Sequence, residues 1–160
     1  MRNLSFINSG TKELSNNDIR VCEDLVVSGP AITNPQNIDV TVDNDLIVNS
    51  GSFSKGNGVV VVSNNMRLAG GTFNGGSSGD ISVSEDLIIA GGTLNTGSGG
   101  RIRLNGDLVF TSGDYVSGTG THRFRFQGTT PQQITGDFTG SSSIYRMEMA
   151  NVQGVSIVSG

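Results

Sequence analysis

The stretch Ser84–Gly100, SEDLIIAGGTLNTGSGG, decides the fold of this chain. Its apolar triplet is followed by a double glycine, a Thr-Leu pair and a Gly/Ser tail, a composition that disfavours a helix. A single hairpin would leave these few apolar side chains half exposed. The next stretch, Asn105–Gly120 (NGDLVFTSGDYVSGTG), has the same layout. The partner that covers one stretch is therefore predicted to be its own repeat.

The repeat extends over most of the chain, as the leucine of the opening stretch shows. Equivalent apolar residues follow one another at intervals of 21, 20, 21 and 21 residues: Leu25, Leu46, Met66, Leu87 and Leu108. Two residues after each lies a second apolar column: Val27, Val48, Leu68, Ile89 and Phe110. Seven residues after each lies a third: Ile32, Phe53, Phe73, Leu94 and Tyr115. Two further columns precede the leucines, with Val83 and Ile81 as their members in the opening repeat. Leu4 and Phe6 fit the same spacing.

Each repeat contains three short segments of alternating apolar and polar residues, separated by Gly, Asn, Asp and Ser, which is typical of strands and turns. One repeat has too few apolar groups to form a core, so the repeats must stack. Strands stacked at about 4.8 Å would place each column inside the molecule. The sequence predicts an all-β, single-stranded, three-faced parallel β-solenoid (β-helix), right-handed, with coils of about 21 residues. Double glycines are expected at its corners. Propeller blades need about 40 residues, and the spacing does not fit leucine-rich repeats or calcium-binding nonapeptides.

The repeat pattern predicts one domain over residues 1–160. Residues 1–17 form a partial first coil, 18–120 the regular coils and 121–160 looser coils. In the looser part we expect the following inward residues: Phe124, Phe126, Ile134, Phe138, Met147, Met149, Val155 and Ile157. Because the chain begins and stops in mid-coil, it is interpreted as a truncated segment of a longer protein. Its open ends are expected to associate end to end or with other domains of the same assembly.

Composition excludes several classes of function. The net charge of −4 argues against nucleic acid as a partner. Cys22 is the only cysteine and His122 the only histidine, so no disulfide framework or Cys/His metal centre is predicted. No cofactor is expected. The longest apolar run, Val59–Val62, is too short to span a bilayer, so membrane insertion is not expected.

Two segments near the end carry a resemblance to a known class of proteins. They are GTTPQQITG (128–136) and YRMEMANVQGVSI (145–157). They resemble a segment of very large secreted surface proteins of Bacteroidetes-type bacteria, whose surrounding repeats are similar to the G-D-L coils upstream. The resemblance implies an extracellular or cell-surface solenoid, exported by the type IX secretion route and used as a stalk, adhesin or filament. It supplies no catalytic residues.

One outward column precedes the inward leucines: Asp24, Asp45, Asn65, Asp86 and Asp107. Stacked carboxylates repel one another unless something compensates. One hypothesis is a ladder of calcium sites, because hard cations prefer clustered oxygens. The alternative is that each side chain caps its own turn by accepting a backbone amide. Asn65 in place of Asp favours capping, which needs an acceptor rather than a charge.

A second outward column gathers positive charge on the first strand of the last coils. It includes Arg101, Arg103, Arg123, Arg125 and Arg146, with His122 beside them, whereas Asp18 and Asp39 precede the first coils. Guanidinium groups suit carboxylate, sulfate and phosphate. The patch is predicted to dock an acidic glycan or a neighbouring acidic domain; the alternative is a solvated face that prevents lateral strand pairing.

An enzymatic role is the weaker hypothesis. Some parallel β-helices bind or cleave acidic polysaccharides, but the sequence has no Trp, and Tyr115 belongs to an inward column. No pair of carboxylates is set apart as glycoside hydrolysis requires. His122 is interpreted as a surface residue rather than a general base. The sequence therefore predicts a non-catalytic structural or adhesive module, with a glycan-binding or glycan-cleaving β-helix as the alternative.

Overall fold

The protein is a β-solenoid of about seven turns with no helix among its described residues. A computed structural model describes residues 2–15, 17–118, 120–138 and 142–158. In this part of the chain no helix is long and apolar enough to cross a membrane. Two parallel sheets run along the stack; the partial first coil contributes to one of them, and every later coil contributes to both.

The first sheet contains the short strand that opens each coil. Its members are β3 (Ile19–Val21), β5 (Val40–Val42), β7 (Val60–Val62), β10 (Ile81–Val83), β12 (Arg101–Leu104), β14 (Arg123–Phe126) and β16 (Met147–Met149). In strands such as β10, two buried residues flank one outward residue, as in Ile81, Ser82 and Val83. The four-residue strands β12 and β14 have one more outward residue at their start. This alternation gives the sheet one buried face and one solvated face.

The second sheet contains the remaining two segments of each coil. Its members are β1 (Leu4–Ile7), β2 (Thr11–Glu13), β4 (Leu25–Thr33), β6 (Leu46–Ser54), β8 (Met66–Leu68), β9 (Thr72–Asn74), β11 (Leu87–Asn95), β13 (Leu108–Val116), β15 (Gln132–Thr135) and β17 (Val155–Val158). In four coils the two predicted segments are one long strand, namely β4, β6, β11 or β13, and these strands pair with register shifts. In two other coils the segments are separate strands, β1 with β2 and β8 with β9.

The register confirms the predicted columns. Leu87 pairs with Met66 on one side and Leu108 on the other, and Leu108 continues to Ile134. The third column is fully buried, with the rings of Phe53 and Phe73 stacked at 5.4 Å. The core is therefore one continuous apolar interior, built from neighbouring coils.

The double glycine of the opening stretch forms a corner. Gly91 has φ +124°, and a Cβ there would lie 2.9 Å from the carbonyl oxygen of Ala69 in the coil below. Before the corner every second residue is buried up to Ile89, and after it the buried residues are Gly92 and Leu94, so the alternation shifts by one residue. The chain therefore turns and then resumes its inward alternation, which fits the predicted role of glycine here.

The last coils depart from the pattern. Phe138 packs against Phe110, with ring centroids 5.1 Å apart, instead of extending the column above Tyr115. The Tyr115 ring contacts that of Phe124, and the Tyr115 amide donates a hydrogen bond to the Ser142 hydroxyl oxygen at 3.2 Å. The predicted inward residues of the last coil are largely exposed: Met147 41%, Met149 50% and Ile157 68%. The right hand of the coil stays a prediction.

The first prediction tests the register. Leu87 is fully buried, so Leu87→Asp would place an unpaired carboxylate in the core, at a cost of several kcal/mol. This is comparable with the total stability of a typical domain, about 5–15 kcal/mol. We expect Leu87→Asp to unfold the protein, whereas Ser82→Asp, outward and paired in register with Arg103, should be tolerated. Thermal melting followed by circular dichroism measures both, and equal melting temperatures would contradict this register.

Candidate functional site: an arginine surface on the first sheet

The Asp/Asn column forms a hydrogen-bonded ladder between coils. Each side-chain oxygen accepts the backbone N–H of the column residue one coil further on. Asp86 Oδ1, for example, accepts the amide of Asp107 at 2.8 Å, and Asn65 Oδ1 accepts that of Asp86 at 3.1 Å. The prediction that each side chain caps its own turn is wrong, because the amide that it accepts belongs to the next coil.

These contacts account for the close stacking of the carboxylates. Asp45 Oδ1 accepts both the amide of Asn65 at 2.9 Å and the side-chain nitrogen of Asn64 at 2.8 Å. Partial positive charge on N–H groups thus faces each acceptor, which offsets repulsion between neighbouring carboxylates. Among the described residues no group of three or more His, Cys, Asp or Glu side chains could hold a metal ion.

The same arrangement occurs where the chain enters the first sheet. Asp18 accepts the amide of Asp39 at 2.9 Å, and Asp39 accepts that of Val59 at 2.7 Å. Two coils later, Asp80 Oδ1 accepts the amide of Arg101 at 2.9 Å. The acidic half of the charged face is therefore engaged in joining coils.

The second prediction separates capping from metal binding. Asp45→Ala removes the acceptor for two donors and should lower the free energy of unfolding by about 1–2 kcal/mol, the usual net contribution of two hydrogen bonds. Asp45→Asn keeps an acceptor oxygen and should melt close to the parent. Chemical denaturation of the three proteins, with and without a calcium chelator, measures both effects. A loss in Asp45→Asn equal to that in Asp45→Ala, or a chelator-dependent loss in the parent, would favour a charge-dependent site.

Two rows of side chains run along the outer face of the first sheet. Register pairs Arg101 with Arg123 and Arg103 with Arg125. In the last coil Arg125 pairs with Glu148, and Phe124 donates its amide to the carbonyl of Arg146 at 3.2 Å. The rows are thus Arg101–Arg123–Arg146 and Arg103–Arg125–Glu148, with steps of about 4.8 Å. The structure brings all five predicted arginines together.

Two carboxylates partly neutralise these rows. Arg103 contacts Asp80 through Nη2 at 2.6 Å and Nε at 2.8 Å. Burial would raise the pKa of Asp80, but hydrogen bonds from the Arg103 guanidinium and the Arg101 amide outweigh it, so the pKa is lowered. Glu148 lies 3.1 Å from Arg123 Nε and 3.3 Å from Arg125 Nη1. The Arg123 Nε contact is an ion pair without hydrogen-bond alignment.

The surface keeps an excess of positive charge. Five arginines against Asp80 and Glu148 leave three positive charges in a chain whose net charge is −4. Within the described residues, Arg101 and Arg146 make no ion pair. Arg146 is exposed and Arg101 half-buried. These two guanidinium groups are the ones most available to an external anion.

The prediction that His122 is a surface residue is wrong, because the side chain is buried. It is 6% exposed, with its ring edge-on to Phe124 at a centroid distance of 5.9 Å. Burial lowers the pKa of His122 to about 4, because the charged imidazolium would lose its hydration. The ring is therefore neutral at physiological pH and adds no charge to the arginine surface. Its Nε2 has no hydrogen-bond partner among the described residues.

Tyr145 is a feature of this surface that the sequence analysis missed. Its side chain is 79% exposed and lies beside Arg146. One groove is lined by Arg123, Tyr145, Arg146, Met147 and Glu148. A second is lined by Ser117, Gly118, Gly120, Tyr145 and Arg146. The signal was available in the sequence, since Tyr145 precedes the last first-sheet strand and belongs to none of the inward columns.

The burial of Lys55 was not predicted either, because the equivalent positions of other coils are not apolar and so form no recognisable column. It is 1% exposed and donates from Nζ to the carbonyl oxygens of Gly58 at 2.8 Å and Ser78 at 2.5 Å. Burial lowers the pKa of Lys55 to about 8, despite the opposing charges of Asp80 and Asp39. The equivalent side chain one coil earlier, Asn34, donates to carbonyls at a similar corner. Lys55 thus has a structural role inside the stack.

Comparisons with protein families, curated proteins and solved structures found no match for this chain.

Proposed function

We propose that this chain is a structural and adhesive module of a bacterial cell-surface or extracellular protein. It is a segment of a stacked-coil stalk or filament that presents its arginine surface to anionic partners without transforming them. The observation that carries the proposal is the pair of arginine rows, held in fixed register on the first sheet. The resemblance of the C-terminal segments to secreted type IX surface proteins supports the location.

Rigid display is what the stacked coils provide. Strands β12 and β14, which carry the first two residues of each row, are paired on both sides. Asp80 orients Arg103 with one oxygen while its other oxygen accepts the amide of Arg101. Ordering of this kind reduces the entropy that side chains lose on binding. A solenoid can therefore offer an anion a preformed row of guanidinium groups.

The location has a direct test. Antibody labelling of intact cells that carry the protein should detect it. Labelling only after permeabilisation would contradict a surface role.

The third prediction tests the arginine surface. The chain is acidic overall, yet we expect it to be retained on a cation-exchange resin at pH 7.5 and low salt, because the rows concentrate positive charge. Salt should release it, since exposed charges are screened over about 8 Å at physiological ionic strength. Arg101→Ser/Arg146→Ser should elute earlier than the parent.

The matched control is Arg20→Ser/Arg67→Ser, which removes the same charge elsewhere. Arg67 is exposed on the second sheet, and Arg20, in the first complete coil, pairs with Asp43 of the next coil. We expect this double variant to elute with the parent. If both double variants elute together, the arginine rows are only a solvated face.

The fourth prediction concerns the exposed apolar end of the stack. Its most exposed members are Val152 at 90% and Ile157 at 68%, beside the unpaired edges of β16 and β17. Open edges and apolar cross-sections favour association. We propose that the isolated chain associates through this end, with a second copy or a neighbouring domain.

Sedimentation velocity over a range of concentrations measures that association. Ile157→Glu should shift the chain toward the monomer, whereas Val116→Glu, at a residue 42% exposed on β13, should not. A monomer at every concentration, or equal effects of both changes, would contradict the proposed contact.

A further inference from the structure

We propose that the groove along Arg101, Arg123 and Arg146, bordered by Tyr145, binds an acidic polysaccharide. Guanidinium groups would engage its carboxylate or sulfate groups, and the Tyr145 ring would cover the apolar face of one sugar ring. This inference rests on the proposed function, since it names the anionic partner of the same surface.

The grooves on this surface form one path. The groove that contains Tyr145, Arg146 and Arg123 adjoins another that is lined by Asp80, Gly100, Arg101, Thr121 and Arg123. Arg123 belongs to both, so the path extends from Tyr145 past the whole first row. Gly100, Gly118 and Gly120 line these grooves without side chains. A linear chain therefore has room to lie along the row.

The charge spacing favours a polymer over a compact anion. The three arginines of the row repeat at the strand spacing of about 4.8 Å along the solenoid axis. One sugar residue advances an extended polysaccharide by a similar distance. Successive acidic sugars could thus meet successive guanidinium groups, each of which can bind a carboxylate or sulfate with two hydrogen bonds.

Tyr145 distinguishes a glycan from an acidic peptide. Its ring is rigid, largely apolar and 79% exposed, while the other described aromatic rings lie on inward columns or pack against the core. The C–H face of a sugar ring can cover such a surface and remove apolar area from water. An acidic peptide supplies charge but no comparable flat face.

Glu148 competes with an external anion for the arginines, so its removal should change binding in the direction opposite to the other substitutions. It pairs with both Arg123 and Arg125, so a polyanion must compete with it for Arg123. Glu148→Gln removes one of the two opposing carboxylates and should strengthen polyanion binding. Arginine and tyrosine substitutions should weaken it.

The fifth prediction compares two polyanions, polygalacturonate and poly-L-glutamate, in titrations at low salt. Arg101→Ser/Arg146→Ser should weaken binding of polygalacturonate by about tenfold, as expected for the loss of two exposed charge pairs. Tyr145→Ala should weaken polygalacturonate binding by about threefold to tenfold, but leave poly-L-glutamate binding unchanged. Tyr145→Phe keeps the ring and should bind like the parent, as should Arg20→Ser/Arg67→Ser.

The outcomes separate this inference from the proposed function. Equal binding of both polymers with no effect of Tyr145→Ala would overturn the glycan assignment and leave the anionic docking surface standing. Binding of neither polymer would overturn both. Shortening of polygalacturonate during the titration would overturn the non-catalytic role. Weaker binding by Glu148→Gln would contradict the competition assigned to Glu148. Circular dichroism of each variant confirms that the exposed substitutions leave the fold intact.

Discussion

Every feature of this molecule depends on the pairing of each coil with the next at a fixed register. Backbone N–H and C=O groups that are removed from water must be hydrogen bonded, and here their partners lie one coil away. The apolar columns also depend on the neighbouring coils, since Leu87 is buried only when Met66 and Leu108 flank it. No coil has a core of its own. Fold and display of side chains therefore have one physical origin.

The outward polar columns follow from this register as much as the core does. An oxygen placed just before the strand meets the N–H of the next coil, so Asp86 and Asn65 serve equally as acceptors. On the first sheet the residue before the first inward position is Asp18, Asp39 or Asp80 in three earlier coils and arginine in the last three. Only in those last coils is charge available for contacts other than the bonds between coils. The transition occurs at Asp80, which still caps Arg101 with one oxygen and already pairs with Arg103 through the other. One carboxylate thus both joins two coils and orients an arginine on the outer face.

The regular spacing of apolar residues made the fold predictable from sequence. The features that were not predicted lie where this spacing is irregular. The columns of Leu87 and Leu94 recur in every regular coil, so their burial and pairing follow from spacing alone. Lys55 lies at a corner whose residue type changes from coil to coil, and so gave no apolar signal. His122 and Tyr145 lie where coil length changes, and spacing there does not determine which side chain is buried. The arginine rows were predicted as a cluster, but their pairing with Asp80 and Glu148 required side-chain geometry.

The direction of the hydrogen bonds between coils has a mechanical consequence. In a solenoid these bonds run along the long axis, so tension on the two ends loads them in series and detaches one coil at a time. A coil of about 21 residues occupies about 4.8 Å of the axis when stacked, but spans about 70 Å as an extended chain. Each detached coil would lengthen the rod more than tenfold locally while the remaining coils stay folded. A segment of this kind would yield gradually under shear and recover by restacking on the coils that remain.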